Sequence, residues 1–472
     1  MRRDRLVPLI VAVALFMENL DSTVIATSLP AIAADIGTSP LALKLAVTSY
    51  LLSLAVFIPM SGWTADRFGG RTVFRAAIAV FVLGSIGCAA SSSLTDFVIA
   101  RIVQGMGGAM MTPVGRLVLI RSVDKRALID AMAWVSMPAL IGPVMGPPLG
   151  GFITTYASWH WIFLINVPMG LVGILLATRF IEDVRIATAG RFDLVGMLLA
   201  GSGIAGMAFG LSVAGLHYLP RWAVAGLVIG GACSFAGYLV HARRVPAPVL
   251  DLSLLALPTF RASFVGGFLF RVGVGALPFL LPLLLQLGFL LNPFQSGLVT
   301  FSAAVGALTM KAATATILRR FGFRSVLIVN ALVSALFIAA CAGFHPGVPF
   351  ALIVAVLLVG GFFRSLEFTS INAMAYAEVK PERMSRATSL AAAGQQLSLS
   401  TGVALGAAVV EVVLQFKSVP TIDAADFPPA FLVVAAISAS SAVLFWQLPH
   451  GAGSELAGGA SLPAARSDQP PP

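Results

Sequence analysis

The stretch from Leu6 to Leu29 reads Leu-Val-Pro-Leu-Ile-Val-Ala-Val-Ala-Leu-Phe-Met-Glu18-Asn-Leu-Asp21-Ser-Thr-Val-Ile-Ala-Thr-Ser-Leu and decides the fold. Apart from Glu18 and Asp21 it carries no charge, and as a helix it is long enough to cross a bilayer. The two carboxylates are three residues apart and therefore lie on one helical face. Because an ionisable group inside a membrane is costly, we expect this face to meet a partner or line a pathway, and to exchange protons.

The whole chain has the composition of a helical membrane protein. Of its 472 residues, 58% are hydrophobic and 11% are charged, with a mean hydropathy of +0.94, whereas a soluble domain carries about a quarter charged residues. Its apolar runs exceed the roughly 10 residues of a barrel strand. The three cysteines lie in separate runs without metal-ligand spacing, so we expect no metal and no cofactor. The sequence therefore predicts an all-α polytopic membrane protein.

Fourteen transmembrane helices are predicted from the apolar runs. One motif occurs twice, eight spans apart: Arg67-Phe-Gly-Gly-Arg71 follows the second span, and Arg320-Phe-Gly-Phe-Arg324 follows the tenth. A duplicated six-span unit with a two-span insertion explains this offset. The predicted spans are 6–29, 44–65, 72–90, 95–119, 128–154, 161–181, 193–214, 221–241, 261–287, 294–318, 325–344, 349–376, 387–414 and 428–447.

These spans divide the chain into four predicted parts. They are an N-terminal six-helix bundle at 1–181, a two-helix insertion with inner loops at 182–254, a C-terminal six-helix bundle at 255–449 and a disordered cytoplasmic tail at 450–472. With the N-terminus inside, the inner segments hold 22 of the 30 Lys and Arg residues and the outer segments hold three. This asymmetry predicts that both termini are cytoplasmic. It also accounts for the net charge of +10 without a nucleic-acid partner.

The first inner loop contains the sequence Gly62-Trp-Thr-Ala-Asp66-Arg67-Phe-Gly69-Gly-Arg71. Its glycines permit a tight turn between spans, and Asp66 can pair with a basic residue at a neighbouring helix end. A charge clasp here would hold one conformation and release in another. The simpler interpretation, positive-inside topology, accounts for the arginines but not for Asp66 and the glycines.

The fourth span has one polar and closely packable face. Arg101, Gln104, Gly105 and Gly108 follow one another at helical spacing, and Arg101 lies deep enough to require a counter-ion. We expect Asp21 to be that counter-ion, so that breaking the pair couples protonation to conformation. A purely structural ion pair is the alternative.

The fifth span combines small residues with prolines. Gly142, Gly146 and Gly150 recur every four residues, which favours close helix packing, and Pro143 lies among three prolines that kink the helix. A similar stripe at Gly394, Ser398, Gly402 and Gly406 follows eight spans later. We interpret the fifth span as a pliable, tightly packed helix at a rocking interface; ordinary membrane packing explains the stripe equally well.

Several charged residues lie inside other spans and are candidates for a substrate cavity. Arg271 has no local partner, whereas Arg364 and Glu367 are spaced to satisfy each other. Arg271 and Lys311 favour anions, while Glu18 and Glu367 favour cations. Together with Gln104, these residues form the candidate cavity set: Gln104, Arg271, Lys311, Arg364 and Glu367. Glu411, near the outer end of span thirteen, is either a second protonation site or an interfacial carboxylate.

Four motifs in register resemble signatures of the major facilitator superfamily. They are the segment Leu20 to Pro30, the loop Gly62 to Arg71, the face Arg101 to Gly108 and the segment Gly142 to Gly151. With fourteen spans, they resemble the drug:proton antiporter branch typified by EmrB and QacA. Tyr156-Ala-Ser-Trp-His-Trp-Ile-Phe-Leu-Ile-Asn-Val-Pro168 is also similar to this branch, and to its MdtD-type members in particular.

The resemblance implies two six-helix bundles, two added helices and small-molecule export by alternating access, driven by inward proton flow. It places the chain as a monomer in the bacterial inner (cytoplasmic) membrane, with a small-molecule substrate, protons and lipid as its partners. It assigns proton coupling to Asp21 and Arg101, to which we add Glu18. It assigns the clasp to Asp66, Arg67, Gly69 and Arg71, and the antiporter motif to Gly142, Pro143, Gly146, Gly150 and Gly151.

Other functions are less compatible with the sequence. The buried bases favour an exporter of an organic anion or metal-chelate metabolite as the alternative substrate class. None of the five histidines begins a His-Glu-x-x-His motif and there is no Gly-x-Ser-x-Gly elbow, which argues against an intramembrane enzyme. No lysine follows a glycine, so a Walker A loop for ATP is absent. A non-transporting receptor would not need Asp21 and Arg101 together.

Overall fold

The computed structural model describes residues 3–123, 128–183, 192–216, 218–417, 421–449 and 451–453. The predicted tail, apart from residues 451–453, lies outside these ranges. In the described residues every regular element is helical. The α-helices are α1 (Arg3–Val24), α2 (Leu29–Asp35), α3 (Lys44–Phe57), α4 (Ser61–Phe68), α5 (Gly70–Ala89), α6 (Leu94–Ser122), α7 (Leu128–Tyr156), α8 (Trp161–Leu164), α9 (Asn166–Phe180), α10 (Leu194–Val213), α11 (Arg221–Ala242), α12 (Pro258–Arg261), α13 (Gly267–Leu283), α14 (Pro293–Phe321), α15 (Phe323–Ala340), α16 (Phe350–Met374), α17 (Met384–Gln415) and α18 (Pro428–Trp446).

The predicted helical membrane fold is confirmed. Within the described residues, thirteen helical stretches are long and apolar enough to cross a membrane. They correspond to thirteen of the fourteen predicted spans, and the remaining predicted span, 128–154, coincides with α7. Short 3-10 segments interrupt or extend several spans, as at Ile25–Thr27 after α1 and Ile58–Met60 after α3. The first span therefore contains Glu18 and Asp21 in regular α-helix and changes to a tighter 3-10 turn at Ile25.

We call α1–α9 the N-terminal bundle and α12–α18 the C-terminal bundle, and the two repeat one packing scheme. In the N-terminal bundle α1 packs along α7, and in the C-terminal bundle α13 packs along α17. Glycines allow the helices of each pair to pack closely, because any larger residue would collide. A side chain at Gly150 would strike α1 at Val24, and one at Gly402 would strike α13 at Val272. The two glycine stripes therefore occupy equivalent positions.

The molecule has two chemically different faces. The turns that join α4 to α5 and α14 to α15 carry Arg67, Arg71, Arg320 and Arg324; we call this end the basic face and the other end the opposite face. Both turns use a glycine with positive φ, at Gly69 and Gly322. The repeated sequence thus forms the same tight, arginine-flanked connection in each bundle.

The buried cores show how the bundles meet. One large apolar cluster near the opposite face draws residues from both bundles, among them Leu29, Phe163, Phe279 and Phe427. Towards the basic face the core divides into one cluster within the N-terminal bundle and another within the C-terminal bundle. The bundles are therefore sealed together at the opposite face and have separate cores at the basic face.

The inserted helices α10 and α11 pack on each other, and α10 lies against α3 and α17. Their return segment is tied to the C-terminal bundle, because Tyr238 Oη donates to the carbonyl of Leu250 at 2.7 Å and Asp251 accepts from Arg383 Nη2 at 2.9 Å. Residues Leu252–Ala256 form a short 3-10 helix in this segment. The insertion is thereby anchored at the seam between the two bundles.

Candidate functional site

Asp21 lies at the centre of a buried hydrogen-bond network in the N-terminal bundle. Its Oδ2 accepts from Arg101 Nη1 at 2.7 Å, and its Oδ1 accepts from Gln104 Nε2 at 2.8 Å and Asn166 Nδ2 at 2.9 Å. Asp21 and Arg101 are each 1% exposed. The predicted pairing of Asp21 with Arg101 is confirmed. Three donors, one of them cationic, match an ionised carboxylate.

Besides Asp21, Arg101 contacts the neutral side chains of Gln104 and Tyr50. Its Nη1 also donates to Gln104 Oε1 at 2.6 Å, and its guanidinium lies 4.1 Å from the centre of the Tyr50 ring. Among the described residues, Asp21 is the only carboxylate that pairs with it. If Asp21 took up a proton, Arg101 would keep an amide and an aromatic ring but lose its counter-charge. This arrangement makes the state of one carboxyl group decisive for a buried cation.

Two further polar residues complete the network. Ser85 Oγ on α5 accepts from Gln104 Nε2 at 2.7 Å and from Asn166 Nδ2 at 3.1 Å. Asn166, at the start of α9, lies within the segment Tyr156 to Pro168 that is similar to the antiporter branch. The sequence marks it only as a lone amide in an apolar span. Ser85 gave no such signal, because serines are common in membrane helices.

Glu18 lies in a different environment from Asp21. Its Oε2 accepts a short hydrogen bond from Thr112 Oγ1 on α6, and the side chain is half-buried. No ion pair joins it to the described residues. The structure therefore brings Asp21, Arg101 and Gln104 together and leaves Glu18 one helical turn closer to the basic face.

The residues assigned to the clasp at the basic face do not share one contact, because Asp66 and Arg71 have different partners. Asp66 Oδ1 pairs with Arg121 Nη2 at 2.6 Å, at the last turn of α6, which matches the expectation of a partner at a neighbouring helix end. Arg71 instead donates to the carbonyl of Ile181 at 3.4 Å, and Arg67 is exposed. The contact of Asp66 is thus made with Arg121, within the N-terminal bundle.

Gly69 has a second role that the sequence did not indicate. Its φ of 95° favours glycine, and a side chain there would strike the carboxylate of Asp183. Asp183 also accepts from the backbone N of Thr72 at 3.3 Å and from Thr72 Oγ1 at 3.2 Å, at the first turn of α5. A carboxylate at a helix N-terminus is electrostatically favourable. The tight turn therefore lets Asp183 approach α5.

The antiporter-motif residues on α7 face two different helices. A side chain at Gly142 would crowd Asn19, and one at Gly146 would collide with Thr23, so these glycines admit α1. A side chain at Gly151 would collide with the carbonyl of Pro293 at the start of α14, so this glycine admits α14. Helix α7 thus packs against α1 within its own bundle and against the C-terminal bundle at the opposite face.

A cavity of about 440 Å³ lies between the bundles. Pro143 of the antiporter motif and Thr23, two residues after Asp21, belong to its wall. Lys311 and Arg364 supply its charge, and no carboxylate is found among the described residues that line it. Its lining comes from α7, α13, α14, α16 and the end of the first span: Thr23, Ala26, Pro143, Val144, Pro147, Val274, Leu277, Pro278, Leu281, Pro282, Thr300, Ala303, Ala304, Ala307, Leu308, Lys311, Gly361, Arg364, Ser365, Phe368 and Thr369.

Three members of the candidate cavity set lie elsewhere. Gln104 is buried beside Asp21. Arg271 is 5% exposed, donates to Asn372 Oδ1 at 2.8 Å and lies over the Phe368 ring at 5.0 Å. Glu367 is fully buried and turns away towards α15.

The expectation that Arg364 and Glu367 satisfy each other is wrong. Arg364 lines the cavity, whereas Glu367 accepts a hydrogen bond from Asn330 Nδ2 at 3.0 Å. No ion pair joins Arg364 and Glu367 in the described part of the chain. Three residues of helical spacing allow such a contact but do not require it, since both side chains are long enough to follow different neighbours.

Glu411 belongs to a buried ion pair at the opposite face. Its two carboxylate oxygens each lie 2.7 Å from Lys44 Nζ, which is 1% exposed. The pair joins α3 of one bundle to α17 of the other. Other hydrogen bonds also join the bundles, from Gln286 to the carbonyl of Thr27 and from Ser400, midway along α17, to that of Thr48.

Comparison with known proteins agrees with this architecture. A family model described as the Major Facilitator Superfamily matches residues 11–259 and 263–468. The chain is 39% identical over 448 residues to a multidrug resistance protein MdtD of Salmonella paratyphi B, covering 93% of this chain and 94% of the relative. A D-xylose-proton symporter superposes with a TM-score of 0.66 at 16% identity, covering 95% of this chain and 98% of that one. The human organic anion transporter MFSD10 (TETRAN) superposes with a TM-score of 0.60 at 15% identity, covering 94% and 100%.

The two kinds of likeness support different conclusions. The solved structures share the fold at low identity, whereas the family model and the MdtD relative match nearly the whole sequence. The four motifs quoted above fall within the matched residues. This chain belongs to the Major Facilitator Superfamily of membrane transporters.

Proposed function

We propose that this chain is a proton-coupled secondary active transporter that exports small molecules, of the multidrug efflux type, by alternating access. Family membership makes it a transporter rather than an enzyme. The observation that carries the proposal is the buried pair of Asp21 and Arg101, which lies within two residues of a cavity-lining position at Thr23. A proton site and a substrate cavity thus share helix α1.

The coupling follows from what a proton would do to this pair. A proton on Asp21 would remove the counter-charge of Arg101, and an unpaired buried charge costs about 3–5 kcal/mol. Moving a two-state equilibrium from 1:99 to 99:1 requires about 5.5 kcal/mol. Loss of one ion pair is therefore large enough to shift the populations of two conformations substantially.

Helix α1 can transmit this change to the cavity. Asp21 and Thr23 are two residues apart, and Gly146 of α7 packs against Thr23 without room for a side chain. Movement of α1 after protonation would therefore displace the α7 wall, including Pro143 and Pro147. Proton uptake and reshaping of the substrate site become one event.

The basic face is cytoplasmic in this proposal. Basic residues concentrate on the cytoplasmic side of membrane proteins, and the bundles have separate cores on that side. The conformation is then open to the cytoplasm and closed at the opposite face, where Lys44 meets Glu411. In this state Asp21 is ionised and the cavity can accept substrate from inside.

Other parts of the proposal follow the family. We place the chain in the bacterial inner membrane with both termini cytoplasmic, acting as a monomer and using the proton gradient without a bound cofactor. The N-terminal bundle would span 1–181, the two-helix insertion 182–254, the C-terminal bundle 255–449 and the cytoplasmic tail 450–472. Asp66, paired with Arg121, and the Gly69 turn would stabilise one arrangement of the basic face. Glu18 would lie on the proton route between Asp21 and the cytoplasm.

The cavity charges favour a second candidate function, export of an organic anion or a metal chelate that carries carboxylates. Lys311 and Arg364 face the cavity, and neither forms an ion pair within the described residues. Two cations in a mainly apolar wall attract an anion with an apolar body. Phe368 and Pro278 supply apolar surface in the same wall.

Proton movement in inverted vesicles separates the two substrate classes. Lipophilic cations and carboxylates would be added in parallel, and the collapse of a preformed proton gradient recorded. A response to cations supports the multidrug type, and a response to carboxylates that Lys311→Ala and Arg364→Ala weaken supports the anion type. Arg221→Ala is the matched control, because this arginine is exposed at the start of α11 and lies outside the cavity wall. No response to either class would overturn the proposal.

A further inference from the structure

Glu367 is the carboxyl group whose surroundings contrast most with those of Asp21. It lies within α16 and is 0% exposed. Its Oε2 accepts one hydrogen bond, from the neutral amide of Asn330 at 3.0 Å, and its Oε1 has no partner among the described residues. An ionised carboxylate with one neutral donor and no ion pair is poorly stabilised in a buried site.

Asn330, on α15, also has a buried oxygen without a hydrogen-bond donor in the described part of the chain. Its Nδ2 donates to Glu367 Oε2 and also to the carbonyl of Phe363 at 2.8 Å, which uses both amide hydrogens. Its Oδ1, however, has no donor among the described residues. The carboxyl and amide groups joined by this bond therefore contain two buried acceptors, Glu367 Oε1 and Asn330 Oδ1, that have no donor among the described residues.

One proton on Glu367 Oε1 would satisfy both atoms. A carboxylic acid and a carboxamide can form a cyclic pair, in which the amide N–H donates to the acid carbonyl oxygen and the acid O–H donates to the amide oxygen. The observed bond from Asn330 Nδ2 to Glu367 Oε2 is the first half of this pair. Since buried polar groups are almost always hydrogen-bonded, a neutral acid fits these two acceptors better than a carboxylate does.

The surrounding charges are arranged so that this proton can be released. Arg271 of α13 donates to Asn372 and lies over Phe368, one residue from Glu367. Arg364 on α16 and Lys311 on α14 face the cavity, and the described part of α15 facing Glu367 supplies neutral Asn330. Arg271 is the cation whose charge reaches Glu367, so a small movement of Arg271 towards Glu367 would favour the ionised carboxylate.

We propose that Glu367 is a second proton-binding site, which holds its proton in the conformation described here and releases it when the C-terminal bundle rearranges. Asp21, with three donors, and Glu367, with one, would then be in opposite protonation states at the same time. The release step rests on the proposed proton-coupled function, whereas protonation in this conformation does not.

Infrared spectroscopy of the purified full-length protein in nanodiscs tests the protonation directly. A neutral carboxyl group gives a C=O stretch separate from that of a carboxylate. We expect this band in the wild type at neutral pH, its loss in Glu367→Gln and its retention in Asp21→Asn. Asn330→Ala should shift the band to higher frequency without removing it, because the amide donor to the carbonyl oxygen is gone. A band that is unchanged in both Glu367→Gln and Asn330→Ala would overturn the proposal.

Release is tested separately, with a substrate found to drive proton movement in vesicles. Adding it to the purified protein in weakly buffered solution should release protons, and Glu367→Gln should release about one fewer per protein than the wild type. A carboxyl band that persists unchanged during transport by the wild type would show a permanently neutral structural acid and overturn the release step. If no substrate drives transport but the band assigned to Glu367 is present, the protonation stands and the proposed export function fails.

Discussion

Lys44 at the start of α3 and Glu411 near the end of α17 form a buried ion pair that joins the two bundles. The Nζ atom lies 2.7 Å from both carboxylate oxygens, and the residues are 1% and 8% exposed. Gln286 also donates across the bundle interface to the carbonyl of Thr27, and Ser400, midway along α17, donates to that of Thr48. The opposite face is therefore closed by polar contacts as well as by a shared apolar core.

Breaking this pair should favour opening at the opposite face. Glu411→Gln leaves Lys44 charged and poorly paired in the closed state, at a cost of about 3–5 kcal/mol, whereas opening would return Lys44 to water. A cysteine at Ser400, buried in the closed state, should then react faster with a membrane-impermeant maleimide added at the opposite face. The measurement requires Cys88, Cys233 and Cys341 to be replaced first.

Two further variants sharpen this experiment. Exchange of the charges, Lys44→Glu with Glu411→Lys, should return labelling towards the wild-type rate. Lys417→Met is the control, because Lys417 forms its ion pairs locally with Asp423 and Asp426. Equal labelling in the wild type and Glu411→Gln would show that the pair does not hold this face closed.

The contact between α1 and α7 should tolerate no side chain at Gly146. Gly146→Val would collide with Thr23, and overpacking typically costs about 1–3 kcal/mol. We expect a lower melting temperature in detergent and strongly reduced transport, since Thr23 also lines the cavity. Gly226→Val on α11 is the matched control, because nothing lies within 4 Å of a side chain there. Equal effects of the two substitutions would contradict a specific α1–α7 contact.

The ion pair between Asp66 and Arg121 should have a modest effect. The side chains are 33% and 21% exposed, and exposed pairs contribute about 0–1 kcal/mol. Arg121→Ala should therefore change the transport rate several-fold without unfolding the protein. Arg319→Ala, which removes an exposed arginine in the last turn of α14 at the same face, should have little effect. Transport reduced equally by both substitutions would indicate a general role of positive charge at the basic face.

Acidification should loosen the segment that ties the inserted helices to the C-terminal bundle. Burial tends to raise the pKa of Asp251, but hydrogen bonds from Ser253 and Arg383 outweigh it and lower the pKa from 3.8. A lowered pKa means that the contact stabilises the fold above the ordinary value and loses this contribution as pH falls through the folded-state pKa.

Hydrogen exchange across Leu252–Ala256 measures this effect. Exchange, corrected for its intrinsic pH dependence, should accelerate as the solution is acidified below about pH 4. Asp251→Asn should show faster exchange at neutral pH and a weaker response to acid. An identical pH profile in the wild type and Asp251→Asn would rule out Asp251 as the group responsible.

The fold could be predicted from the sequence because membrane helices are dictated by local composition. The charge pair of Asp21 and Arg101 was predictable for a related reason: few groups in a membrane span can neutralise a buried arginine. Both conclusions require little knowledge of how distant helices pack.

The contacts that the sequence did not reveal depend on tertiary packing. Lys44 and Glu411 are 367 residues apart, and only the meeting of two bundles makes them neighbours. Glu367 was expected to pair with Arg364 on its own helix, but the two side chains follow different neighbours. Asn166 and Ser85 carry no charge and gave no electrostatic signal. Helical spacing shows which residues can meet, and packing decides which do.

The role of Asp21 can be tested most directly by comparing two modes of transport in proteoliposomes. With a substrate identified in vesicles, one assay measures accumulation driven by an imposed pH gradient, and the other measures exchange of substrate without a gradient. The control is Ser22→Ala, since Ser22 bonds only to the carbonyl of Asn19 in the described structure. We predict that Asp21→Asn abolishes gradient-driven accumulation and retains exchange, while Ser22→Ala retains both. Accumulation by Asp21→Asn at the wild-type rate would contradict proton coupling through Asp21.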